Sequence, residues 1–97
     1  MLNTTDTTAA TDFTSIVHRE IVSLLSEAKL PIPMITGTEL LSRIGLNSLL
    51  LARLVIQLEM EFDFDPFEEH YVISDVRTVK DLVEAYVDTA SKVNAAA

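Results

Sequence analysis

Apolar residues recur at helical spacing in three separate stretches of the chain. Phe13, Ile16, Val17, Ile21, Leu24, Leu25 and Ala28 fall on one face of a first helix, with Thr11 or Asp12 available to cap its start. His18, Arg19, Ser23 and Glu27 lie off that stripe. Leu30-Pro31-Ile32-Pro33 stops the helix, because a residue before proline is pushed out of the α region. The connection that follows is long but not a polar linker. Ile32, Met34, Ile35, Leu40, Leu41, Ile44 and Leu46 give it apolar anchors, so it is expected to lie against the core, with a turn of helix in "TELLSRIG".

Asn47 then stands as N-cap of a second helix, with Ser48 at its first position and its end near Phe62. Leu51, Leu54, Val55, Leu58 and Phe62 form one stripe of this helix. Leu49, Ala52, Ile56 and Met60 form a second. A helix apolar on most sides is usually buried, so the pattern alone assigns the second stripe to the core. The alternative is a partner-docking face, where a flexible methionine suits a changing surface. Asp65-Pro66 ends this region, and a single helical turn is expected within Phe67 to Ile73. Thr78 with Asp81 resembles a capping box and opens a last helix to about Ser91, with Val79, Leu82, Val83, Tyr86 and Val87 on its core face.

The pattern therefore predicts an all-α fold: a small bundle of three main helices plus one short helix, with a long structured loop between helices 1 and 2. Residues 1–10 read as a flexible N-terminal arm, 11–91 as one domain and 92–97 as a flexible tail. Two glycines and three prolines in 97 residues agree with helices rather than a turn-rich sandwich or barrel.

Charge narrows the partners. A net charge of -8 opposes binding to nucleic acid, which rests on neutralising phosphates, and to anionic membrane surfaces. No apolar run reaches the ~20 residues that span a bilayer. The N-terminus lacks a signal-peptide pattern, and the chain is expected to be cytoplasmic and monomeric. Without cysteine it has no disulfide, no thiolate zinc site and no thiol nucleophile.

Catalytic patterns are weak. Leu50 stands where a G-x-S-x-G elbow around Ser48 needs glycine. His18 and His70, the two histidines, read as solvated side chains with nothing to pair them with Ser48. An EF-hand starting at Asp63 fails, with Glu68 at the glycine position and Ser74 at the bidentate position, so no metal site is expected. No glycine-rich phosphate loop is present. Asn-Ser ahead of an apolar run is an ordinary helix start, and the residues alone leave open whether Ser48 does more. A serine in the first turn does expose its hydroxyl where free N–H groups and the helix dipole favour an anion.

Gly45-Leu46-Asn47-Ser48-Leu49 resembles the Gly-x-Asp-Ser-Leu motif of the acyl and peptidyl carrier proteins, at the start of their second helix. The "LEMEF" helix end, the acidic segment after it and the Thr78-Val79 opening of the last helix agree, from about Asp12 to Ser91. The resemblance implies that a phosphopantetheinyl transferase, using coenzyme A and magnesium, attaches 4′-phosphopantetheine to Ser48, with Gly45, Asn47 and Leu49 around it. The arm would hold an acyl or aminoacyl group as a thioester, importing the sulfur that the chain lacks. The protein would be a carrier and not an enzyme, passing cargo from a loading enzyme to downstream transferases or synthases, and its core would part to shelter an apolar chain.

Asn47 replaces the family's usual aspartate. The docking positions implied by the resemblance are Leu49, Leu50, Arg53, Ile56, Glu59 and Met60, more apolar than the acidic helix of fatty-acid carriers. That favours a specialised pathway (polyketide, nonribosomal peptide or modified fatty or amino acid) over the alternative of a housekeeping fatty-acid carrier. An unmodified helical adaptor docking partners through helix 2 is the alternative from a different class.

Overall fold

The computed structural model describes residues 5–68 and 70–96. Three α-helices follow in order: α1 (Thr5–Glu27), α2 (Ser48–Phe62) and α3 (Val79–Ala96), with a 3₁₀ turn at Ile73–Asp75 before the last. Among the described residues, extended pairing is limited to one antiparallel bridge, Leu40 with Thr78. This is the all-α bundle that the pattern predicts.

Two helix bounds differ from the expected ones. The first helix begins at Thr5, ahead of the Thr11 or Asp12 cap, and the last reaches Ala96 instead of about Ser91. Both extensions run through alanine-bearing sequence with no glycine or proline, and adding residues to an existing helix is far easier than starting one. Met1 to Thr4 and Ala97, parts of the expected arm and tail, lie outside the described residues.

The end of α1 is a Schellman motif. Lys29 takes the left-handed conformation at φ 60°, its N–H donates to Ser26 O, and the Leu30 N–H donates to Leu25 O at 2.9 Å. Ala28, expected on the core face, is exposed, because the chain leaves the helical path there.

The helices meet on a core of Val17, Ile21, Leu24 and Leu25 from α1, Leu50, Leu54 and Leu58 from α2, and Val79, Leu82 and Tyr86 from α3. Two ion pairs tie α2 to α1: Arg19 to Glu61 at 2.7 Å and Arg53 to Glu27 at 3.0 Å. Eight residues up one helix match eight down the other, so the pair runs antiparallel. Phe62, Phe64 and Phe67 contact the Tyr86 ring where α2 ends, at 5.3 Å for Phe62 and 6.1 Å for Phe67, and Phe13 packs on Phe62 at 4.5 Å.

The long loop is stitched to the start of α3 by backbone bonds. Leu41 N–H donates to Arg77 O at 2.8 Å, Val79 N–H to Glu39 O at 3.1 Å and Lys80 N–H to Gly37 O at 2.8 Å. Its own shape comes from Glu39, which accepts from Thr36 N, Thr36 Oγ1 and Gly37 N. Those bonds, led by the Thr36 hydroxyl, hold the Glu39 carboxyl down at about 2. The expected turn in "TELLSRIG" forms, with Arg43 N–H on Leu40 O. Leu41 and Leu46 are buried and Ile35 and Ile44 half-buried, but Ile32, Met34 and Leu40 are exposed. The loop is anchored at its second half, where the bonds to α3 hold it.

The capping box of α3 is present: Asp81 N–H donates to Thr78 Oγ1, and Asp81 Oδ2 accepts from Thr78 N–H. The short helical turn falls at Ile73–Asp75, just beyond the core of the expected Phe67 to Ile73 segment. Asp65 Oδ1 takes the Phe67 N–H and Pro66 O accepts from His70 and Tyr71, so that earlier stretch is spent on turns.

Candidate functional site

The site begins at a glycine. Gly45 holds φ +104°, where other residues are strained, and a Cβ there would come within 3.1 Å of Leu30 and 3.3 Å of Leu25. Gly45 therefore lets the turn close onto the end of α1, and Leu46 drops into the core behind it. Asn47 is extended and caps α2: its Oδ1 accepts from Leu50 N–H at 2.9 Å and its carbonyl from Leu51 N–H at 2.8 Å.

Those bonds satisfy later groups of the first turn and leave the Ser48 and Leu49 N–H groups at the positive end of the helix. Ser48 is the first helical residue and is exposed. No acidic side chain lies in this first turn. A phosphodiester on the Ser48 hydroxyl fits this setting: it needs an exposed oxygen, gains from the helix dipole and meets no carboxylate in the turn.

Two clefts open at Ser48. One, of about 570 Å³, runs between α2 and the loop past Ser42, Leu46, Val76 and Arg77. The other, of about 410 Å³, follows α2 past Leu51, Val55 and Ile56, with Phe67 and Ile73 as its far wall. Sequence reasoning missed Arg77, Phe67 and Ile73 as neighbours of Ser48. Each is brought there by folding from far along the chain, and no local signal marks them. A larger cleft, about 740 Å³, lies between α1, α3 and the loop and shares no wall residue with these two. His18 is half-buried in it rather than fully solvated, and His70 is exposed.

The second stripe of α2 is not core. Leu49 is 70%, Ile56 57% and Met60 80% exposed. Among the described residues, the helix whose backbone runs close to α2 is α1, and the segment after α2 adds Phe67 and Ile73 beside it. Arg53 and Glu59 are also exposed, but the Arg53 guanidinium is engaged by Glu27. Leu50 is a correction. It is 7% exposed and joins Leu54 and Leu58 in the core, because residues four apart share a helix face. It is not available for docking.

The family model described as "Phosphopantetheine attachment site" matches residues 19–86. The chain is similar to the solution structure of MacpD, an acyl carrier protein from Pseudomonas fluorescens involved in mupirocin biosynthesis. The two share 28% identity at a TM-score of 0.75, over 89% of this chain and 79% of that one. No curated protein matches the chain significantly. Since the family match spans most of the sequence, the chain belongs to the phosphopantetheine attachment site family, whose domain is the place of covalent 4′-phosphopantetheine attachment.

Proposed function

We propose that Ser48 is the attachment residue and that the protein is an acyl carrier working in a specialised biosynthetic pathway. The observation that carries this is the exposed Ser48 hydroxyl at the capped start of α2, with a cleft on either side. Asn47 does the capping, which leaves the serine free for the arm. The carrier domain is assigned to residues 11–91, bracketing the family match. The specialised pathway is supported by the likeness to a carrier of mupirocin biosynthesis and by the apolar α2 face.

The carrier performs no chemistry itself. A transferase adds the arm, a loading enzyme charges its thiol, and synthases or transferases take the cargo. The docking face consists of Leu49, Ile56 and Met60, with Glu59 at its edge and Arg53 secured at its side. Among the described residues, no helix is long and apolar enough to cross a membrane, which agrees with a cytoplasmic carrier.

Incubation with coenzyme A, magnesium and a broad-specificity transferase tests the assignment by intact mass. The expected result is a gain of one phosphopantetheine on the native chain and none on Ser48→Ala. No gain, or an equal gain on the variant, rejects it.

A further inference from the structure

Tyr86 is fully buried, and its hydroxyl has no hydrogen-bond partner among the described residues. A buried tyrosine hydroxyl ordinarily finds one, because leaving it unmade costs most of the group's desolvation. Burial, with the Asp65 and Glu59 carboxylates nearby, pushes its ionisation upward, so the oxygen keeps its proton and stays a donor. Phe62, Phe64 and Phe67 all lie within ring-contact distance of the Tyr86 ring.

One of those rings is also a wall of the cleft at Ser48. Phe67 lines that cleft opposite Val55 and Ile56, and its ring meets the Tyr86 ring edge-on at 6.1 Å. The cleft follows α2 from Ser48 to Ile56, about 12 Å at the helical rise. Phe67 sits half-buried in a turn, with its N–H on Asp65 Oδ1 and its ring packed against the core. Phe67 is thus the side chain that the cleft and the Tyr86 ring share.

We infer that Tyr86 reads the cargo: the chain sheltered beside Ser48 is an acyl group with an in-chain carbonyl oxygen, which accepts a hydrogen bond from the Tyr86 hydroxyl once Phe67 has moved. The inference rests on the carrier function proposed above. A purely hydrocarbon chain would fill the same cleft and leave the hydroxyl unpaired, so the interior discriminates oxygenated from saturated cargo by one buried bond.

The native chain and Tyr86→Phe are loaded by a broad-specificity transferase with arms bearing octanoyl or oxooctanoyl groups. An amide replaces the thioester to stop hydrolysis, and the ketone is placed near, midway along or at the far end of the chain. Intact mass is read first: absence of the arm rejects the carrier function itself, and this inference with it. Thermal unfolding is read next. At least one oxooctanoyl form of the native chain is expected to exceed the octanoyl form in Tm by roughly 4–8 °C, the shift one hydrogen bond gives in a domain of this size. That excess vanishes in Tyr86→Phe, while the octanoyl forms of the two proteins gain equally from loading. Unloaded Tyr86→Phe is at least as stable as the native chain, since it loses only an unpaired hydroxyl. The inference is overturned if no ketone position gives an excess, or if the excess survives in the variant. It is also overturned if unloaded Tyr86→Phe is less stable or fails to fold, because the hydroxyl then has a partner within the protein.

Discussion

Asn47 and Ser48 divide two tasks that a single residue at a helix start often combines. Asn47 closes the first turn through Leu50 N–H, and Ser48 keeps its hydroxyl outside. Replacing Asn47 with alanine removes the acceptor and is expected to cost ~0.5–2 kcal/mol in urea unfolding. Asn47→Asp restores the family's usual residue, keeps the cap and places a carboxylate at the positive helix end. It is expected to stabilise by ~0.3–1 kcal/mol at low ionic strength, an increment that salt should erode. Gly45 is less forgiving. Gly45→Ala meets both a strained φ and the Leu30 and Leu25 methyls, and a loss of at least ~1–2 kcal/mol follows from the conformation alone. Equal stability of Gly45→Ala would show that the turn can open away from α1.

At the scale of elements, what was legible in the sequence was what local chemistry decides. The Asn47 cap, the Thr78–Asp81 box and the stop at Leu30-Pro31 each depend on neighbours within a few residues, and each is present. The phase of α2 was not legible. Leu49, Leu50 and Leu51 are consecutive, and an unbroken apolar run carries no angular information, so only the neighbouring helices select Leu50 for the core and Leu49 for the surface. The loop was half legible for a related reason: its apolar residues outnumber the places against the core, and backbone bonds to α3 choose Leu41 and Leu46 over Ile32 and Met34.

Those bonds give the loop a pH signature. Glu39 is held at about 2 against an ordinary 4.5. A carboxylate depressed in the folded state contributes stability that is full above its unfolded value and is lost as pH falls through the folded one. The Tm difference between the native chain and Glu39→Gln is therefore expected to be constant near neutrality and to shrink between about 4.5 and about 2. A difference that does not change over that window would mean the Thr36 and Gly37 donors find other acceptors.

For the whole molecule, the proposed dock on α2 implies that the net charge of -8 and the apolar α2 face make separate contributions to recognition. Long-range charge steers encounter with a basic partner and fades once the Debye length is short; buried apolar contact sets how long the complex lasts. The one cation on the proposed docking face, Arg53, is occupied by Glu27, and Glu59 stands at its edge, so the centre of that face carries little free charge. Ile56 lies at that centre and also borders the cleft at Ser48. Because it is 57% exposed, Ile56→Asp is expected to fold with a stability change within ~0.5 kcal/mol. The same substitution puts an unpaired charge into the interface and is expected to lower kcat/KM for arm transfer by about tenfold or more, the effect of losing one contact residue. Measured at rising salt, the native kcat/KM should fall only as far as steering accounts for, and the ratio of native to Ile56→Asp should persist. A ratio near one at low salt, with a steep salt dependence in both proteins, would place the dock on the acidic surface instead of on α2.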